Sequence, residues 1–358
     1  MGISKRAKAG LCAAALGLTI GGLTMGFAGT ATAELDERSF KVVGTFGSLT
    51  NWKGIEKPFW EETLPKDSDG RLTADAKPMT ELGLKGFEIM RLLRLGIFDF
   101  AHALPIYVAE DPVIEGVDLA GVARDFATAR KIGDAYKETL DKAFGRLYNA
   151  KLLNVYPFPT QAFYCRDEIT GVEDLSGAKI RVQGASQGDF VEGLGATPVT
   201  ITFAEVVPSL QKKVVDCGIT GTMPAYLAKW YEVANTAFYL PVGYTMTFTA
   251  VNLDTWNTMN AETQAFIEKE MTEFENNAWK IVEAENDSGL ACGTSGPCEL
   301  GDPGGMTLVK PDAADLAKRE QVLKEVVLPR WAERCGADCA KNWNATVGPV
   351  VGMEAPTN

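Results

Sequence analysis

The sequence predicts an α/β protein of two lobes, and three observations lead there. Strand-like and helix-like segments alternate along the chain, the order that builds a helix-covered, largely parallel sheet. Roughly 320 residues follow an N-terminal leader, more than one core holds comfortably. One late helix of about 25 residues would reach nearly 40 Å, longer than one lobe needs, so it is expected to brace both.

The elements follow in order. The leader comes first: Lys5, Arg6 and Lys8 precede the apolar run LCAAALGLTIGGLTMGFA (11–28), and Ala31-Thr32-Ala33 supplies small residues before Glu34. This is the pattern of a secretory signal peptide cleaved after Ala33, and it predicts an exported, periplasmic protein. Cys12 opens the apolar run instead of following it, which excludes a lipoprotein anchor. FKVVGTFG (40–47) reads as a strand, 54–64 as a helix ended by Pro65, RLTADAKP (71–78) as a strand, LGLKGFEIMRLLRLG (82–96) as a helix, and IFDFAHALPI (97–106) as a strand. A second run starts near 158 with the extended FPTQAFYC, followed by a turn-rich loop through Gly171 and Gly177, then KIRVQ (179–183). Ser186 and Asp189 match a capping box for a helix closed by Gly195. TPVTITF (197–203) and VVDCGIT (214–220) are strands, Pro208 falls early in the helix between them, and Pro224 opens a helix through Trp230. TMTFTAVNL (245–253) is strand-like. Asn260 then caps the longest helix, whose stripe is Ile267, Met271, Phe274, Ala278 and Ile281; a Gly-rich loop at 285–310 and a helix at 312–334 complete the chain.

Charge and cysteine usage narrow the function. The formal charge of −12 becomes −15 once the three basic leader residues leave, so no general field draws nucleic acid or an anionic membrane. An anion would need a local cationic group working against that charge. Cys12 leaves with the leader, and the six remaining cysteines allow fifteen pairings. Cys292/Cys298 and Cys335/Cys339 are close enough for small loops, which would leave Cys165 to Cys217. The spacing CGTSGPC…CGADC also admits zinc, but an exported chain favours disulfides. The sequence holds one histidine, His102, and no H-E-x-x-H, G-x-S-x-G, P-loop or strand-borne G-x-G-x-x-G. An exported two-lobed chain without catalytic or cofactor fingerprint points to a binding protein, not an enzyme, and no cofactor is expected.

KIRVQ then poses a question. Ile180 and Val182 alternate with Lys179, Arg181 and Gln183, yet a helix-covered sheet has two apolar faces. Arg181 therefore points to an ion pair or to a cleft at the carboxyl edge of the sheet, where open α/β folds bind ligands.

The stretch SGAKIRVQGASQGDFVEGLGATPVTITFAEVVPSLQKKVVDCGITG (176–221) carries G-x-K-x-R-V, L-G-A-T-P-V, F-A-E-V and L-Q-x-x-V-V-D in close order. It resembles the DctP-type substrate-binding proteins of TRAP transporters, and weaker resemblance covers most of the rest. The resemblance implies a two-lobed periplasmic binding protein (type II-like) with a cleft between the lobes and a long helix shared by both. The lobes are expected at 34–157 plus about 245–285, and at 158–244 plus about 286–358. It implies delivery of a small organic acid to integral-membrane subunits. Arg181 takes the place of the arginine that clamps the ligand carboxylate, a role that suits a guanidinium fork.

Other positions carry over residue by residue. Phe203 aligns with an aromatic that packs on the ligand. Thr220 replaces a frequent asparagine, and Gln161 stands where sialic-acid-binding members have a second arginine, which argues against sialic acid. Trp52, on the loop after the first strand, and His102, at the end of a strand, complete the candidates. Trp52, Phe163, Phe203 and Tyr244 would make the cleft apolar. One aligned arginine suggests a monocarboxylate with an apolar or aromatic body, such as an aromatic or 2-oxo or 2-hydroxy acid. The alternatives are a ligand sensor for a signalling receptor and an exported hydrolase.

Overall fold

The computed structural model describes residues 34–108 and 112–357; the predicted leader, 1–33, lies outside the described residues. Nine strands form one mixed sheet: β1 Arg38–Gly44, β2 Leu72–Pro78, β3 Phe100–Ala103, β4 Ala150–Cys165, β5 Lys179–Val182, β6 Thr197–Thr200, β7 Cys217–Gly221, β8 Thr236–Asn252 and β9 Thr307–Val309. The order is β2-β1-β3-β8-β4-β7-β5-β6, with β9 on β8. Parallel sets sit at the two ends, β2-β1-β3 and β6-β5-β7, as the alternating order demands. Between them β4 and β8 run antiparallel to each other, so the sheet is less parallel than the sequence suggested.

These two long strands belong to both ends. The first half of β4 (150–157) pairs with the last part of β8 (246–252), beside β3. Its last part (161–165) pairs with the start of β8 and with β7. The register slips at Leu152/Asn154, Pro157/Thr160 and Gln161/Phe163. Pro157 and Pro159 lie in this stretch and have no N–H to give the ladder, so the strand kinks where one end of the sheet passes into the other.

The long helix spans Ala261–Gly293, 33 residues or about 50 Å, and Asn260 caps it by accepting from the Thr263 N–H. Ile267, Met271, Phe274 and Ala278 are buried as expected. The Trp279 indole N–H donates to the Val155 carbonyl, and Thr222 Oγ1 donates to the Asn286 carbonyl, which ties the helix to both ends of the molecule. It runs eight residues beyond the expected loop start, because Cys292 buries against Met223 and Tyr226.

Other elements differ for readable reasons. The helix expected at 54–64 runs from Asn51 to Asp67, through Pro65. Widened π-helical turns end two residues before Pro58, Pro65 and Pro329. Widening carries the helix past a residue that lacks an N–H and whose ring crowds the carbonyl four residues back. The helix expected at 82–96 shrinks to Ile89–Arg94, since Gly83 and Gly86 take φ of +70° and +108°. The helix Phe126–Tyr148 is an addition to the expected elements, although the cap at Asp125, the stripe Ala129, Ile132, Tyr136, Leu140 and Phe144 and the left-handed Asn149 at its end are its marks in the sequence. The capping box at Ser186 and Asp189 does not form. Gly184 is the N-cap of helix Ala185–Gly193, Ser186 Oγ accepts from the Ala120 N–H, and Asp189 pairs with Arg330 and Arg334.

Six cysteines form three disulfides, Cys165–Cys217, Cys292–Cys298 and Cys335–Cys339, which leaves none of them for zinc. No helix among the described residues is long and apolar enough to cross a membrane.

Candidate ligand-binding cleft

Arg181 lies on β5, the middle strand of its parallel set, flanked by Val199 of β6 and Gly218 of β7. Ile180 and Val182 fill one face of the strand with no exposure to speak of, yet Arg181 on the other face is also 0 % exposed. The guanidinium is held by the chain itself: Nε donates to the Ile201 carbonyl and Nη1 to the Ile219 carbonyl, each at 2.8 Å. Nη2 is buried and makes no well-aligned hydrogen bond among the described residues, with the Tyr107 hydroxyl close to the guanidinium, and no carboxylate there pairs with it. Burial lowers its pKa from the usual range, and the nearby Tyr107 hydroxyl opposes that shift. A buried cation without a counter-ion is costly, and Nη2 shows where an anion would relieve the cost.

Tyr107 comes from the turn after β3 and is buried, which raises the pKa of its phenol. Gly184 lets that turn approach β5, since a Cβ there would stand 2.5 Å from Ile106 Cγ1. Phe87 packs on Tyr107 with ring centroids 4.7 Å apart, although it is 46 % exposed.

A cavity opens beside the guanidinium. Its apolar wall is Phe46, Leu49, Leu104, Phe158, Phe203 and Pro224, and its polar wall is Tyr107, Gln161, Gln183, Thr220 and Thr245. None of these side chains is charged at neutral pH. The walls are close: Phe46 and Phe203 approach to 5.2 Å between centroids, and the free volume is about 20 Å³, near that of a single water.

The polar wall is one connected chain. The Gln183 backbone N–H donates to Gln187 Oε1 at 2.9 Å, and Gln187 Nε2 donates to Gln161 Oε1. Gln161 Nε2 donates to Thr245 Oγ1, and Thr245 donates to Gln183 Oε1 at 3.2 Å. Gln161 thus lines the cavity as a neutral amide.

Of the six candidates, the structure brings Phe203, Gln161 and Thr220 to the wall of one cavity and holds Arg181 behind that wall, on the carbonyl of Ile219 next to Thr220. It does not bring Trp52 or His102 to it. Trp52 is buried in the helical segment after β1, its ring against Gly44. His102 sits in the core, where Nε2 accepts from the Trp60 indole N–H at 2.7 Å. Its proton is therefore on Nδ1, shared between the Tyr156 hydroxyl at 2.9 Å and Thr249 Oγ1 at 3.0 Å. Burial pushes its pKa down to about 3, so the ring is neutral. The Tyr156 hydroxyl in turn donates to Glu56, a buried carboxyl that also takes the N–H and hydroxyl of Thr45.

The expected aromatic lining is also corrected. Phe163 packs on Phe238 and Tyr244 on Phe126, away from the cavity, because both sit where β4 and β8 pack into the core. Phe46, Tyr107 and Phe158 take their places. Gln183 was visible in the sequence as the residue two beyond Arg181 on the same strand face; nothing local marks Thr245 or Phe46.

The chain is similar to known solute receptors. Residues 44–333 match the family model of DctP, the bacterial extracellular solute-binding proteins of family 7. The C4-dicarboxylate-binding periplasmic protein DctP of Rhodobacter capsulatus is 27% identical over 297 residues, 80% of this chain and 84% of that protein. Among solved structures, DctP6 of Bordetella pertussis, an extracytoplasmic solute receptor binding pyroglutamic acid, superposes with a TM-score of 0.76 at 22% identity, over 86% of this chain and 99% of that one. A TRAP periplasmic solute-binding protein of Desulfovibrio salexigens with bound orotic acid gives 0.77 at 17% identity, over 87% and 99%. These receptors are two-lobed periplasmic binding proteins, and with a family match across most of its length the chain belongs to the bacterial extracellular solute-binding proteins of family 7, the TRAP periplasmic receptors.

Proposed function

We propose that this receptor captures a small organic monocarboxylate with an apolar or aromatic body and delivers it from the periplasm to the membrane subunits of a TRAP transporter. The observation that carries the reading is the buried Arg181 guanidinium, with two donors held by backbone carbonyls and Nη2 without a well-aligned partner beside the cavity. A carboxylate accepts such a donor with a strong, charge-assisted bond, and the site excludes the water that would screen it. The R. capsulatus relative is named for C4-dicarboxylates, but this cavity has no charged side chain in its wall to meet a second carboxylate. Pyroglutamate and orotate, bound by the two structural neighbours, are ring acids with one carboxylate and belong in the first ligand panel.

Entry requires the walls to part, because the free volume admits little more than a water. The lobes in this reading are 34–157 with about 245–285, and 158–244 with about 286–358. The hinge is the irregular register of β4 and β8 around Pro157–Phe163. Phe203 and Thr220 contact the ligand from one lobe.

Thermal unfolding of the mature protein against a panel of organic acids tests the reading, with wild type beside Arg181→Lys. Ligand bound to the native state raises the midpoint by mass action. The expected result is a shift with monocarboxylates that vanishes in the lysine variant. A shift that survives the substitution removes Arg181 from the site. A larger shift with succinate than with any monocarboxylate overturns the ligand class.

A further inference from the structure

The polar wall of the cavity has a fixed hydrogen-bond direction, and that direction has a consequence for the ligand. A backbone N–H can only donate. The Gln183 N–H meets Gln187 at 2.9 Å, so the accepting atom of Gln187 is its oxygen, and its other end is the NH2. That NH2 faces Gln161, whose near atom must then be oxygen and whose far end must donate to Thr245 Oγ1. The Thr245 hydroxyl, having accepted, still has its own hydrogen to give, and Gln183 Oε1 stands 3.2 Å away to take it. The orientations of Gln187 and Gln161 are forced in turn, and the structure sets Gln183 with its oxygen on the Thr245 hydroxyl. The chain ends on the Gln183 NH2. Gln183 is 6 % exposed and lines the cavity, and no acceptor among the described residues reaches that nitrogen.

Gln183 follows Arg181 by two residues, in the bend just beyond the end of β5. Both offer donors only. The wall between and opposite them carries no charge.

We propose that Gln183 is a specificity-determining residue, whose side-chain N–H reads an uncharged acceptor, a carbonyl oxygen, on the body of a monocarboxylate held at Arg181. The inference rests on the monocarboxylate reading above and deepens it to an oxo-acid whose carbonyl lies across the ligand from the carboxylate. A plain hydrocarbon acid leaves the amide buried and unpaired. A second carboxylate brings a charge that a neutral amide does not neutralise. A ketone or lactam oxygen satisfies the donor at no charge cost.

The test is calorimetric titration with a matched pair, 3-oxocyclopentanecarboxylate and cyclopentanecarboxylate, which differ by one carbonyl. The third probe is cis-1,3-cyclopentanedicarboxylate. Wild type is expected to favour the ketone over the hydrocarbon by about 10- to 100-fold, the cost of one buried unpaired donor, and to bind the diacid more weakly than the ketone. Gln183→Met is expected to bring ketone and hydrocarbon within about threefold of each other. Gln183→Glu keeps an oxygen for Thr245 but replaces the donor by an acceptor, and is expected to reject the ketone. Equal wild-type affinities, or a ketone preference that survives in both variants, overturn the proposal. So does a wild type that binds none of the three. The monocarboxylate reading stands separately, since it fails only if no acid gives an Arg181-dependent shift.

Discussion

Phe46 and Phe203 meet across the cleft at 5.2 Å between centroids, one on the loop after β1 and the other on the loop after β6. Phe203 also lies stacked on Trp230 at 5.9 Å, so its position is set from behind by its own side of the cleft. A side chain so placed closes over whatever Arg181 holds. Phe203→Ala is expected to weaken ligand binding by about 10- to 100-fold, the worth of one buried aromatic face, and to lower the ligand-free unfolding midpoint by only a few degrees. Phe203→Leu should fall between. Titration calorimetry reads the affinity, and an alanine variant that binds as tightly as wild type removes Phe203 from the site.

Glu56 gives the protein a pH signature. Desolvation raises its carboxyl to about 7, against the donors from Thr45 and Tyr156, which favour the anion. Between pH of about 4.5 and 7 the folded state therefore holds a proton that the unfolded state has released. Stability falls as pH rises through this window and is level above it. The shift amounts to about 3 kcal/mol at pH 8. Glu56→Gln keeps an acceptor for the Thr45 N–H and removes the titration. The variant is expected to match wild type near pH 5 and to melt at higher temperature at pH 8. Parallel melting curves for the two proteins from pH 5 to 8 would show that the carboxyl is ionised throughout.

His102 acts with the opposite sign. Its pKa is about 3 when folded against an ordinary value of 6.5, so the unfolded chain binds a proton that the native state refuses. Its contribution is complete above pH 6.5 and is lost as pH falls toward 3. It is the one histidine in the sequence, so the effect has a single source of its kind. In a Glu56→Gln background, which removes the opposing trend, His102→Gln is expected to flatten the fall in midpoint between pH 6.5 and 4. Ligand affinity at pH 7.5 should stay within about threefold, because the ring lies in the core with Trp60 and Tyr156. A larger loss of affinity would place His102 in the cleft after all.

What the sequence disclosed depended on whether the cause was local. The alternation in KIRVQ is local, and it marks both Arg181 and Gln183 as polar residues on one strand face. The cap at Asn260 and the stripe of the long helix are local too, and both appear. The end of that helix is not local: it depends on Met223 and Tyr226, far along the chain, accepting Cys292. Pro65 read as a stop because a proline inside a regular helix clashes, and only the widened turn before it removes the clash. His102 and Trp52 looked like cleft residues because each ends or follows a strand. Their partners, Trp60, Tyr156 and Gly44, come from other elements and hold them inside. Thr245 entered the site through a cross-strand hydrogen-bond chain that no spacing encodes.

The three disulfides should contribute unequally. Cys165 and Cys217 are direct partners in the β4–β7 register and close a stretch of 52 residues. That stretch contains β5 and β6, with Arg181 and Phe203 between its ends. Restricting so long a loop in the unfolded chain is worth about 4 kcal/mol on the chain-entropy account. Cys335 and Cys339 are four residues apart, so their link restricts the unfolded chain far less. The double variant Cys165→Ala/Cys217→Ala is expected to melt about 6 °C lower than wild type. Cys335→Ala/Cys339→Ala should melt within a few degrees of it. Scanning calorimetry without reductant makes the comparison. Equal losses in the two variants would mean that strand pairing already restrains the 165–217 stretch before folding is complete, and would move the disulfide's contribution from the unfolded chain to native packing.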